Sequence, residues 1–213
     1  MKENEFINYG CGLSAPHEWT NYDVSPTLRI QRIPVLGQLM KSSLNTQFPE
    51  NVKYGDIIQG LPVADNTSTA VYCSHTLEHL ALNDLRKALR NTYKILKPGG
   101  YFRCVVPDLE QAAREYVSGL DQKNNTASFT FFDRTSLGIR DRPTGLKAFV
   151  SSFFGNSHHL WMWDGQSLMK ELSDAGFKDI RICSFNDSEE KMFAKVEESG
   201  RFINAVALES RKW

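Results

Sequence analysis

The sequence has no excess of charge of either sign: 25 lysines and arginines face 25 aspartates and glutamates, a formal net charge of zero. A neutral chain carries no electrostatic case for binding nucleic acid or an anionic membrane surface. Paired cysteines are lacking too. Cys11, Cys73, Cys104 and Cys183 are scattered without a CxxC spacing, and most fall inside apparent strands. That pattern argues against a zinc knuckle or a disulfide framework and fits buried, reduced thiols. No apolar run is long enough to span a bilayer, and the opening MKENEFINYG has no apolar stretch of the signal-peptide kind. Repeats and low-complexity tracts are missing as well. The expectation is one cytoplasmic domain over residues 1–213, built on one core, with neither membrane nor nucleic acid as a partner.

What is present is organised around Ala70 to Asp108. Ala70–Cys73 and Tyr101–Val106 are short apolar runs of strand type. Between them, Asn83 is suited to cap a helix in which Leu85, Ala88, Leu89, Thr92, Tyr93 and Leu96 recur at helical spacing. Pro98-Gly99-Gly100 cannot continue that helix. Strand, helix and strand in this space form a βαβ unit, hence a parallel sheet with helices on its faces. Upstream, Phe6–Tyr9 and Trp19–Val24 read as strands. The spacer from Leu13 to Glu18 is too short for a crossover helix, so the first helix of a parallel arrangement should be missing.

Ser25–Leu44 has helix-like apolar spacing through Leu28, Ile30, Ile33, Leu36, Leu39 and Met40, interrupted by Pro34 and Gly37, and Val52–Tyr54 reads as a third strand. Leu109, Ala112, Ala113, Tyr116 and Val117 mark a helix after Asp108. From Gly119 to Ser157 no clean period survives. Phe129, Phe131, Phe132, Phe149, Phe153 and Phe154 mix there with Arg134, Arg140, Arg142 and Lys147. A segment this long inside a compact domain reads as an inserted lid or acceptor-binding segment. Asp164 caps a further helix stopped by Gly176, and Ile180–Ser184 and Phe202–Glu209 are the last strands, expected as an antiparallel edge.

Several constellations could carry chemistry. Gly10-Cys11-Gly12 directly follows the first strand, where glycines let backbone amides approach a ligand, although a tight turn needs the same residues. Asp23 ends the second strand and can take both hydroxyls of a ribose. Asp56 ends the third and could accept from an exocyclic amine, or simply form its own turn. His75-Thr76-Leu77-Glu78-His79 spells H-x-x-E-H, a zinc-hydrolase pattern when both histidines share an α-helix. Here the motif leaves a strand directly, so no metal is expected. Glu78 and His79 should instead bond to neighbouring backbone.

Taken in order, the GCG turn, the two strand-ending aspartates, LPVADN, AVYCSHTLEHL and LKPGG resemble the class I S-adenosylmethionine-dependent methyltransferases. The C-terminal LMKELSDAGFKDIRI and FINAVALESRK are similar to that family's last helix and strand pair. The resemblance covers the chain except residues 119–157. It implies a Rossmann-like, three-layer α/β sandwich whose seven-stranded sheet is mainly parallel with the last strand antiparallel. It also implies S-adenosylmethionine as cofactor, S-adenosylhomocysteine as product and a small-molecule or glycan-like acceptor. By position, Gly10, Cys11 and Gly12 would wrap the methionyl and ribose part. Asp23 would hold the ribose hydroxyls with Val24 packed on adenine, Asp56 and Ile57 the adenine edge, and Ser74 and His75 would lie near the sulfonium. Asn8 stands where the family carries an acid, Ser14 where it has its third glycine and Ser68-Thr69 where Phe-Asp is usual. These departures leave open a catalytically silent protein that binds a nucleoside or a partner. Candidate proton acceptors are His75, His79, Asp108, His158 and His159, with Asp108 and His159 foremost, each equally readable as a structural contact. Trp161 and Trp163 would form an acceptor wall or belong to the core.

Overall fold

The computed structural model describes residues 4–33, 47–141 and 158–213. Seven strands form one sheet: β1 (Phe6–Tyr9), β2 (Thr20–Asp23), β3 (Val52–Tyr54), β4 (Ser68–Ser74), β5 (Leu96–Pro107), β6 (Lys178–Ile182) and β7 (Ala205–Arg211). Their spatial order is β3-β2-β1-β4-β5-β7-β6. The first five pair in parallel, and β7 runs antiparallel to both β5 and β6. Among the described residues the α-helices are α1 (Pro26–Gln31), α2 (Leu82–Ile95), α3 (Leu109–Asp121), α4 (Ala127–Thr135) and α5 (Gly165–Asp174). Strand order reverses between β1 and β4, and the crevice outside the carboxyl ends of these strands is where open α/β sheets bind ligands.

Each sheet face is closed by its own apolar layer. Phe102, Cys104 and Val106 of β5 pack with Leu85 and Leu89 of α2 and Leu168 and Leu172 of α5. Val105 points the other way, into a cluster with Trp19, Tyr72, Phe193 and Ala207. This is the three-layer arrangement that a parallel βαβ unit demands. All four cysteines are free and buried, and burial pushes the Cys11 and Cys183 thiols up to about 12.

Several expectations need correcting. Residues 10–19 contain no helix, as the short spacer predicts, yet β1 and β2 are parallel neighbours. Two buried asparagines, opposite each other in register, hold the link. Asn8 donates to the Ser14 carbonyl (2.9 Å) and to Asn21 (3.0 Å), and Asn21 donates to the carbonyls of Pro16 and Trp19 (2.9 Å each). Asn83 does not cap α2. That helix starts two residues earlier, with Ala81 at the cap position, its carbonyl accepting from Asp84 and Leu85, and no side-chain cap. Leu96 and the Pro98-Gly99-Gly100 stretch are already strand. The last two strands do form the antiparallel edge, with β7 between β5 and β6, but Phe202 belongs to a 3₁₀ turn. Part of the expected insertion is helical: α4 lies on α3, where Gly119 leaves room for Ala127 and the ring centroids of Tyr116 and Phe131 are 5.5 Å apart. Pro34, Leu36, Gly37, Leu39 and Met40, and Arg142, Lys147, Phe149, Phe153 and Phe154, lie outside the described residues. Among the described residues no helix is long and apolar enough to cross a membrane.

At the centre of β5 the fully buried Arg103 meets Glu197, Asp187 (2.9 Å), Glu209 (2.9 Å) and the Ser184 carbonyl. Arg181 braces Glu209 and Asp187 from the outer side. One arginine therefore ties β5 and β7 to the loop after β6.

Candidate functional site

The carboxyl ends of the first four strands enclose a cavity of about 400 Å³. β1 delivers Gly10, β2 delivers Asp23 and Val24, and β3 delivers Asp56 and Ile57. His75 comes from the end of β4, and Thr76 and His79 from the turn that follows. Gly10 sits at φ +61°, and a Cβ there would lie 2.2 Å from Thr76 Oγ1. Thr76 in turn donates to the Gly10 carbonyl (3.3 Å). The backbone of β1 thus comes as close to the β4 turn as a glycine allows. Gly10→Ala is expected to displace this contact and weaken any ligand bound in the cavity. Thr76→Ala, which removes the two closest atoms, should recover part of the loss; a double variant no better than Gly10→Ala in ligand titrations would refute the steric account.

Asp23 is nearly buried and both its oxygens are engaged. Oδ2 accepts from the Gly12 amide (2.9 Å) and Oδ1 from the Ser25 amide (2.8 Å). It therefore fastens the glycine turn to β2 and keeps a lone pair on each oxygen for the cavity. Asp56 closes its own turn, with Oδ1 accepting from the Ile58 amide (2.8 Å), while still facing the cavity. The Ile57 and Ile58 carbonyls are held by Asn91 of α2 (2.7 and 3.1 Å), a residue the sequence reading did not single out. Its place on the outer side of a helix gave no signal of that role.

Other expected site residues stand elsewhere. Cys11 packs with Leu28, Phe48 and Val52, and with Ser74 it lines a second, much smaller cavity beside Asn8, Glu198 and Arg201. Gly12 borders neither of these two cavities and reaches the main one only through Asp23. Asp108 caps α3, accepting from the amides of Glu110 (2.8 Å) and Gln111 (3.3 Å), and faces a different cavity beside β7. Trp163 is buried in the core, whereas Trp161 is exposed. Arg134 and Arg140 are paired with Glu115 and Asp133.

The H-x-x-E-H segment folds unlike an α-helix. His75 takes φ +52° and only Leu77–His79 form a 3₁₀ turn. His79 does bond to backbone, through Nδ1 to the His158 carbonyl (3.1 Å). Glu78 does not: its side chain is 1% exposed and neither carboxylate oxygen has a hydrogen-bond partner. His75 Nδ1 stands 3.5 Å from Glu78 Oε1, too poorly disposed to count as a bond. Burial works to lower the His75 pKa, but Glu78 and the Arg201 carbonyl outweigh it and hold the ring above its ordinary value. His159 lies against His79, ring centroids 5.1 Å apart, and burial lowers its pKa.

Residues 7–104 match a family model described as a methyltransferase domain. A protein of Aspergillus luteorubrus named probable methyltransferase ltbC is 45% identical over 47 residues, 22% of this chain. The match covers 16% of that relative's length. Among solved structures, a SAM-dependent methyltransferase from Thermotoga maritima superposes with a TM-score of 0.52 at 17% identity, covering 100% of this chain and 84% of that one, a likeness of fold.

Proposed function

We propose that this chain, whose residues 7–104 match a methyltransferase-domain family model, transfers a methyl group from S-adenosylmethionine to a small-molecule or glycan-like acceptor. The observation that carries the proposal is the convergence of Gly10, Asp23 and Asp56 from three adjacent strand ends on one cavity. When bound, S-adenosylmethionine supplies a methyl group on a sulfonium sulfur. Asp23 offers its free lone pairs to the ribose hydroxyls and Val24 packs on the adenine. Asp56 takes the exocyclic amine through Oδ2, with Ile57 beside it. Gly10 and the turn through Cys11 and Gly12 give the ribose and methionyl parts a close backbone approach, and Ser74 and His75 flank the sulfonium end.

Methyl transfer asks of the protein mainly that the acceptor atom and the methyl carbon be held in line. The chain would hold the acceptor's lone pair towards the methyl carbon and leave the acceptor's proton a path to solvent or a neighbouring base. Of the two foremost proton acceptors, Asp108 is occupied by its helix cap and His159 stands one ring away from the cavity wall. The proposal depends on neither. The acceptor side is assigned to residues 119–157, whose return through Leu160 and Trp161 is pinned to the Glu78 carbonyl at 2.8 and 3.1 Å.

A silent, nucleoside-binding protein is the rival reading, favoured by Asn8, whose amide is spent on the β1–β2 link where the family uses an acid. Release of S-adenosylhomocysteine, followed across a panel of phenols, amines and sugars, separates the two. Catalysis predicts acceptor-dependent release that falls with Asp23→Ala. Release never above the protein-free background, with ligand binding intact, favours the silent protein.

A further inference from the structure

We propose that Glu78, His79 and His159 bind a divalent first-row metal ion of the zinc or cobalt type at the rim of the cavity. The site stands independently of how the cavity is used. One ligand atom from each of Glu78, His79 and His159 lies within 4.8 Å of the others.

The first argument is Glu78. A carboxylate that is 1% exposed and bonded to nothing is costly, and an adjacent cation is the ordinary compensation. The second is the set of histidine tautomers. A carbonyl can only accept, so His79 must carry its proton on Nδ1, towards His158, and present the Nε2 lone pair 3.9 Å from Glu78 Oε1. His75 repeats the arrangement, with Nε2 donating to the Arg201 carbonyl (2.8 Å) and Nδ1 3.5 Å from the same oxygen. An outer nitrogen bonded to a carbonyl and an inner one left bare is how the surrounding shell orients metal-ligating histidines. The His79 Nε2 lone pair facing a carboxylate oxygen needs a positive charge between them. A proton on His75 would serve one oxygen at long range, leaving the other oxygen and His79 unmatched.

The third argument is rigidity. The Glu78 carbonyl holds the amides of Leu160 and Trp161, so the segment bearing His159 is fastened to the segment bearing Glu78 and His79. Tetrahedral zinc with bonds of about 2.0–2.1 Å spaces its ligands about 3.4 Å apart, so the 3.9 Å between His79 Nε2 and Glu78 Oε1 needs little contraction. Imidazoles with one carboxylate suit zinc, cobalt, nickel or iron better than magnesium or calcium. The arrangement differs from that of H-x-x-E-H hydrolases, because the 3₁₀ turn aims Glu78 at the histidines as a ligand. His75 and His79 also line the main cavity, so a coordination position left open there would face it.

The test uses the whole chain, stripped with a chelator and titrated with Co²⁺ and Zn²⁺. The expected result is about one equivalent of tightly held metal by mass spectrometry, with visible Co²⁺ bands of low-coordinate nitrogen and oxygen ligation. Glu78→Gln and His159→Ala should each weaken binding by about tenfold or more, while exposed His17→Ala leaves it unchanged. If Glu78→Gln fails to fold, His159→Ala at its half-buried position decides alone. No stoichiometric metal on the wild type, or equal affinity in His159→Ala, overturns the proposal.

Discussion

Arg103→Ala is expected to lose about 3–5 kcal/mol of stability, the range found when one partner of a buried ion pair is removed. The arginine is fully buried and faces Glu197, Glu209 and Asp187, the first two buried with it. Removing it leaves Glu197 buried without its cationic partner and Glu209 with Arg181 alone. Burial already holds the Glu197 carboxyl above its ordinary pKa with the arginine in place, and the Asn186 amide and Arg103 only partly offset this. For a chain of this size the loss corresponds to roughly 6–20 °C in Tm. Arg103→Met with Glu197→Gln should recover part of it, because the most buried uncompensated charge is then gone. Lys170→Ala, which breaks an exposed pair with Asp174, should change stability by less than about 1 kcal/mol. Denaturant titrations read all three. An Arg103→Ala loss as small as that of Lys170→Ala would show that the carboxylates rehydrate without it.

Asp23→Ala carries the second large effect, on ligand affinity. Charge-assisted hydrogen bonds contribute about 1.5–3 kcal/mol, so losing the proposed ribose contact should weaken S-adenosylhomocysteine by about 10- to 150-fold. The same change releases the Gly12 and Ser25 amides, which adds disorder of the glycine turn to the lost bond. Asp23→Asn is not a mild alternative: its amide group would confront one of those two donors. Asp56→Ala, which removes a single acceptor and its own turn bond, should cost less. Equal affinities for wild type and Asp23→Ala in calorimetry would remove the ribose assignment.

Much of this architecture was legible because local signals and tertiary demands agree. β1, β2, β3 and the β4–α2–β5 unit lie where apolar runs and the helical period put them, and the missing first helix follows from the spacer between Leu13 and Glu18. What the sequence did not convey is pairing across long separations. Nothing local says that β7 slots between β5 and β6, or that Asn8 and Asn21 replace a helix by bonding to the link's own carbonyls. Arg103 was hidden for the same reason: it sits in an apolar strand whose acidic partners lie far along the chain. Asp108 carries a local signal for the role it has here, since an aspartate directly before a helix caps it, as Asp164 does. The bare carboxylate of Glu78 could only be seen in three dimensions, because its isolation depends on where residues 158–161 return.

Titration of the wild-type chain with S-adenosylhomocysteine tests the central claim most directly. The predicted result is saturable binding of one ligand per chain, competed by S-adenosylmethionine. No heat and no competition at ligand concentrations of about 1 mM, where even an affinity of about −4 kcal/mol would register, would contradict it.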